Sequence, residues 1–129
     1  MKIESRGVFA TEPLIRLLAT DSEAFVVGEA LKTASGAVTK ASGSDTVEYI
    51  CMTAIAAGTG NYVQAIKILD DMVYRANLSA TGTPLSIADK VTIASDGINI
   101  TATTASGVCK ITAFPSGSKA SGEPVLFRI

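Results

Sequence analysis

The chain contains no histidine and no tryptophan, only two cysteines, and 5% aromatic residues among its 129. Without imidazole, the abundant serine and threonine hydroxyls lack their usual activating base. Cys51 and Cys109 lie in apolar stretches and show no CxxC spacing, so no metal-ligating set is present. They read as buried free thiols. A disulfide between them requires Cα atoms within about 7 Å, which spacing alone does not decide.

Charge is also sparse. Charged residues make up 18% of the chain, the formal net charge is -1, and Lys32, Lys40, Lys67, Lys90, Lys110 and Lys119 are scattered singly. No basic field exists to hold a phosphate backbone by counterion release, so nucleic acid is not an expected partner. No run reaches the roughly 20 apolar residues of a membrane span, and the amino terminus carries no leader-like apolar stretch. A membrane partner is not expected, and folding in a cytosol-like compartment is.

Two short motifs invite a chemical reading and fail it. Gly58-Thr59-Gly60-Asn61 has Val63 where a dinucleotide fingerprint needs its third glycine, and no Gly-Lys-Ser or Gly-Lys-Thr follows. Asp70 and Asp71 are adjacent, which in a strand sends their side chains to opposite faces, with no further oxygen ligands at loop spacing. Both read as turns. No catalytic, cofactor-binding or metal-binding residues are therefore assigned, and the chain is not expected to be an enzyme.

What the sequence does contain is strand pattern. The core must be light, built from Ile, Val, Leu and Ala, while 11 glycines and many Ser and Thr mark frequent turns. The stretch from Val47 to Ala76 organises the rest. Tyr49–Ile55 and Tyr62–Leu69 read as strands around the glycine turn, and Asp70-Asp71 separates them from a third strand, Met72–Ala76. A three-strand core is expected there. Upstream, Pro13–Leu18 reads as a short helix with Pro at its first position or, in slight preference, as an extended edge segment. Ala24–Val27 reads as a short strand closed by Gly28, and Gly28–Lys40 as a tight hairpin turning through Thr33-Ala34-Ser35-Gly36. Downstream, Asp96-Gly97 between Lys90–Ser95 and Ile98–Ala102 is the clearest hairpin signal, with Val91 and Ile93 inward and Thr92, Asn99 and Thr101 facing water. Val108–Phe114 and Glu123–Ile129 complete eight to ten strands. The fold class expected is all-β, a small antiparallel β-barrel or β-tulip-like sandwich, with residues 1–20 as an extended N-terminal arm and residues 21–129 as a single β domain.

From Ala24 to Ile129 the chain resembles the small capsid decoration (cement, or auxiliary head) proteins of tailed bacteriophages. The residues that carry the likeness are Val27-Gly28-Glu29-Ala30-Leu31, then Gly36-Ala37-Val38-Thr39-Lys40-Ala41, the strand Tyr49–Ile55 with Ala56-Ala57-Gly58, and the strand Tyr62–Leu69. Members show a G-x-x-L step, a short hairpin, a glycine-containing strand connection and a β-rich carboxyl end. The resemblance implies a compact β-barrel or β-tulip-like fold without enzymatic activity. Its partner would be the major capsid protein, bound on the outside of the shell at junctions between subunits, with self-association as trimers common and dimers and monomers familiar. It places the protein on the virion surface, and in host cytoplasm before assembly.

The first 20 or so residues depart from the short polar arms of such proteins. Gly7, Val8, Phe9 and Ala10 are the candidates for partner binding, as a strand added to a sheet edge of a capsid subunit. Deleting residues 1–12 is then expected to leave folding intact and to weaken attachment. Two other readings fit the same pattern: a tail or head-fibre β module, and a small-ligand or carbohydrate-binding domain. The latter needs an aromatic platform, for which Tyr49, Tyr62 and Tyr74 would have to cluster in one exposed pocket.

Overall fold

The computed structural model describes residues 1–5 and 14–129. Among the described residues ten short strands form two five-stranded antiparallel sheets, and no helix occurs. The strands are β1 (Lys2–Ser5), β2 (Ile15–Leu18), β3 (Ala30–Ala34), β4 (Ala37–Lys40), β5 (Tyr49–Cys51), β6 (Tyr62–Lys67), β7 (Val73–Asn77), β8 (Lys90–Val91), β9 (Cys109–Ala113) and β10 (Pro124–Arg128). Sheet A has the order β1-β7-β10-β9-β8 and sheet B the order β2-β6-β5-β3-β4. The all-β expectation holds.

Of the two architectures expected, the closed barrel is not formed. Sheet B curls until its edge strands approach, but among the described residues they meet at one bridge, Ala19 with Val38, beside a hydrogen bond from the Thr20 N–H to the Val38 carbonyl at 3.0 Å. The curl still encloses a core, because Leu31, Cys51, Val63 and Ala65 project to its inner side against Phe25, Ala19 and Val38. The opposite face of the same sheet presents Ala30, Ile50 and Ile66 to sheet A, where Tyr74, Val91, Cys109, Ile111, Val125 and Phe127 complete a second, larger core. Period-two alternation makes both possible: Ile50 goes to one core and its neighbour Cys51 to the other.

Local chemistry explains the sharpest turns. In the β3–β4 hairpin Ser35 and Gly36 have φ of 52° and 80°, the left-handed pair that a two-residue turn needs, and the register runs from Ala34↔Ala37 to Leu31↔Lys40. The Asp96-Gly97 turn is wider than the two-residue form expected. The Ala94 N–H reaches the Asn99 carbonyl, only Gly97 has positive φ, and Asp96 folds its carboxylate over the Ile98 and Asn99 N–H groups at 2.8 and 2.9 Å. Thr92, expected in water, is buried, and its hydroxyl pairs with that of Thr101 at 2.7 Å. A hydrogen-bonded hydroxyl can be buried at little cost.

Three further expectations are corrected. Val47–Ala76 does not form one three-strand unit. β5 and β6 pair in sheet B with Ile50↔Ile66, but after the Asp70-Asp71 turn β7 crosses to sheet A and pairs with β1 and β10. Its buried Tyr74 and Ala76 face the inter-sheet core, which a third neighbour in sheet B would not let them reach. Ala24–Val27 is not a strand; Phe25 makes a single bridge with Ile55. Nor are residues 1–20 simply an arm. β1 pairs with β7, β2 pairs with β6, Met1 is 3% exposed in the larger core and Ala19 lies in the smaller one. Apolar side chains at alternate positions draw both strands in.

The carboxyl-terminal strand lies between β7 and β9, so the chain end is held on both sides. Cys51 and Cys109 are free and buried, in separate cores.

Two outcomes follow for stability. Phe127 is fully buried with its ring 5.9 Å from that of Tyr74, and Phe127→Ala is expected to cost about 3–5 kcal/mol in denaturant unfolding, mostly as cavity. Removal of residues 1–5, which takes Met1 out of the core and β1 off sheet A, is expected to lower the melting temperature by several degrees. An unchanged melt would show that β1 contributes nothing to the fold.

Candidate interaction surface

Antiparallel register decides which side chains share a face. Because Arg16 lies opposite Gln64 and Leu18 opposite Tyr62, these four project to the same side of sheet B as Ile66 and Ile50. That is the side packed against sheet A. Sheet A covers only the Ala30, Ile50 and Ile66 part of it. Beyond that cover, on β2 and β6, the face is open, and it carries Leu18 and Tyr62 at 40% and 48% exposure, with Leu14 just ahead of β2 at 51%. An open sheet face ordinarily carries polar residues. Here it carries leucine and tyrosine, with the Arg16 guanidinium stacked over the Tyr62 ring at 4.2 Å from its centroid.

A cleft of about 470 Å³ marks the line where cover ends, between β1 and the continuation of β5. Met1, Ile3, Val27, Ile50, Met52 and Ile98 form its walls and Lys2 its rim. Met52 remains in register with β6, its N–H donating to the Gln64 carbonyl at 2.8 Å, so cleft and open face are one continuous surface.

The cleft floor is pinned by backbone. The Met1 nitrogen donates to the Gly28 carbonyl, and the Gly28 N–H donates to the Cys51 carbonyl at 2.8 Å. Gly28 has φ of 91°, and a Cβ there would stand 2.8 Å from the Met1 oxygen, so glycine is required on both counts. Beside it Glu29 is buried. Its carboxylate accepts the Val26 N–H at 3.0 Å. Burial raises the Glu29 pKa above the ordinary carboxyl value, and the Val26 hydrogen bond and Lys40 only partly offset this. Asp96 moves the other way: burial pushes it up, but the Asn99 and Ile98 N–H groups and the Asn99 side chain together hold it below.

The sequence candidates fare unevenly. Gly7, Val8, Phe9 and Ala10 lie outside the described residues. Tyr74 is fully buried, Tyr49 packs against the smaller core and only Tyr62 is exposed, so the three tyrosines do not form one platform. Among the described residues no three potential metal ligands come together. Leu14, Arg16, Leu18 and Met52 are not among the sequence candidates, and Tyr62 is one only as part of the tyrosine platform. Their signal was present as a break in alternation: Leu17-Leu18 and Tyr62-Val63 place apolar residues on both faces of strands expected to have one wet side.

No protein-family model matches the chain, and no curated protein matches it.

The Glu29 shift has a testable sign. A folded pKa raised above the unfolded one means that the native state binds the extra proton, so its contribution to stability is present at low pH and lost as pH rises through the carboxyl range. Glu29→Gln keeps an oxygen for the Val26 N–H and removes the charge. The variant is expected to gain on the wild type as pH increases through that range and to hold a constant difference above it, measured by urea unfolding at a series of pH values. A difference that shrinks with rising pH would contradict it.

Proposed function

We propose that this protein is a structural component of a tailed-phage virion that sits on the outer surface of the shell, at junctions between major capsid protein subunits, and holds them together. Two things support the reading: the resemblance carried from Ala24 to Ile129, and the open part of sheet B. The single observation that carries it is that face, where Leu14, Leu18 and Tyr62 stand exposed around Arg16. Tyrosine, arginine and large apolar groups are what the energetic centres of protein interfaces are made of.

The mechanism needs no chemistry at a reacting centre. A protein that binds only the assembled lattice stabilises it by its binding free energy at every occupied junction, by mass action. Contacts that are modest singly add up over a shell. In this reading the protein is folded in host cytoplasm and meets its partner when the shell presents the junction. Residues 7–10 enter the chain just ahead of Leu14 and are proposed to contribute a strand to the edge of a capsid subunit. It acts as a binding protein and not as an enzyme.

Co-sedimentation with expanded shells of the major capsid protein tests this. Saturable binding at a fixed copy number per capsid subunit is expected. Tyr62→Ala and Leu18→Ala are each expected to weaken it by about tenfold or more, the size of an interface residue worth at least ~1.4 kcal/mol. Ile87, exposed at 64% and away from this face, provides the control, and Ile87→Ser is expected to change nothing. Absence of binding by the folded wild type would sink the proposal. Equal losses in all three variants would move the contact away from sheet B.

A further inference from the structure

The outer edge of β1 carries a charge pattern that is complementary to itself. β1 is the terminal strand of sheet A, and among the described residues no strand pairs with its free side. Lys2 and Glu4 are exposed, and Ile3 between them is turned towards the core. Lys2 lies directly across from Arg75, one cation opposite another, and makes no ion pair among the described residues, while Arg75 has Glu4 at 3.9 Å. Like charges placed opposite each other in a sheet are destabilising. Among the described residues the edge therefore holds an unpaired positive position with an acid two residues along.

We propose that a second copy of this chain pairs with this edge, its β1 running antiparallel to the first about a twofold axis through Ile3. In that register the residue numbers of opposing positions sum to six. Lys2 faces the partner's Glu4, Glu4 faces the partner's Lys2, and the two Ile3 side chains meet at the mouth of the cleft. The pairing is isologous, as twofold symmetry requires, and it joins the two A sheets into one of ten strands. It gives Lys2 the carboxylate that it lacks among the described residues.

Two features that usually blunt an edge strand take a different meaning here. A lysine on an edge discourages indiscriminate pairing. With Glu4 two residues away, the same charge becomes a register code that accepts this chain and rejects strands without an acid at the matching place. The register shift between Ile3 and Ser5 takes in Glu4 and limits the pairing to the three residues Lys2, Ile3 and Glu4. The dimer is therefore weak. The proposal goes beyond the shell reading and does not rest on it.

The test is sedimentation equilibrium of the isolated protein over a concentration series at low salt, with circular dichroism to verify folding. The wild type is expected to show a monomer–dimer equilibrium that weakens as salt is raised. Lys2→Glu alone puts acid opposite acid at both symmetric positions, and Glu4→Lys alone puts base opposite base. Each is expected to weaken dimerisation by about tenfold or more. The double reversal restores opposite charges and is expected to restore the dimer. An equimolar mixture of the two single variants is expected to form heterodimers, since the two acids on the edge of one chain then face the two bases on the edge of the other. A wild type that stays monomeric throughout overturns the proposal. So does a dimer indifferent to the single reversals, or one that neither the double variant nor the mixture recovers.

Discussion

The apolar character of both faces of sheet B sets the terms for the rest of the structure. A pleated strand sends alternate side chains to opposite sides, so Ile50 and Cys51 cannot be hidden by one neighbour. The two faces are covered differently. One is buried by curvature, the sheet bending until β2 and β4 touch at Ala19 and Val38. The other is buried by a second sheet. Because the curl turns β2 and the start of β6 away from sheet A, cover runs out before apolar residues do, and Leu18 and Tyr62 are left in the open.

The two sheets are stitched where they come closest. Ala30 donates its N–H to the Gly97 carbonyl at 2.7 Å, and Gly43 and Ile93 exchange hydrogen bonds of 2.8 and 3.0 Å. Those bonds bring the Asp96 turn and Lys40 up to Glu29, a carboxylate with little solvent of its own. The seam thus brings the buried Glu29 carboxylate, Asp96 and Lys40 together in one place. It also holds Met1 and Gly28 against the end of β5, so the cleft and the open face keep a fixed relation to the core.

On the proposed reading the protein works by adhesion, and its surface is of a type that suits this. The molecule has two light cores, and the arginine at the centre of its open face, opposite Gln64, is held over an aromatic ring. Residues that are already ordered lose little entropy on docking. Weak edge pairing between copies, where it occurs, would gain in effect whenever neighbouring molecules are held close by a common scaffold.

Much of the strand content was legible from the sequence, because it follows from local rules. Alternation and turn residues predict the Ser35-Gly36 hairpin, β6, β9 and the final strand near the places where they occur, and isolated cysteines in apolar stretches predict buried thiols. What local rules cannot reach is which sheet a strand joins. The Asp70-Asp71 turn looks the same whether β7 returns to sheet B or crosses to sheet A, and Met1 and Ile3 look like an arm until β7 is beside them. Burial of Thr92, exposure of Tyr62 and the open edge of β1 depend on where one sheet ends over another. That boundary is set by curvature and by contacts between residues far apart in the chain, which only the folded arrangement decides.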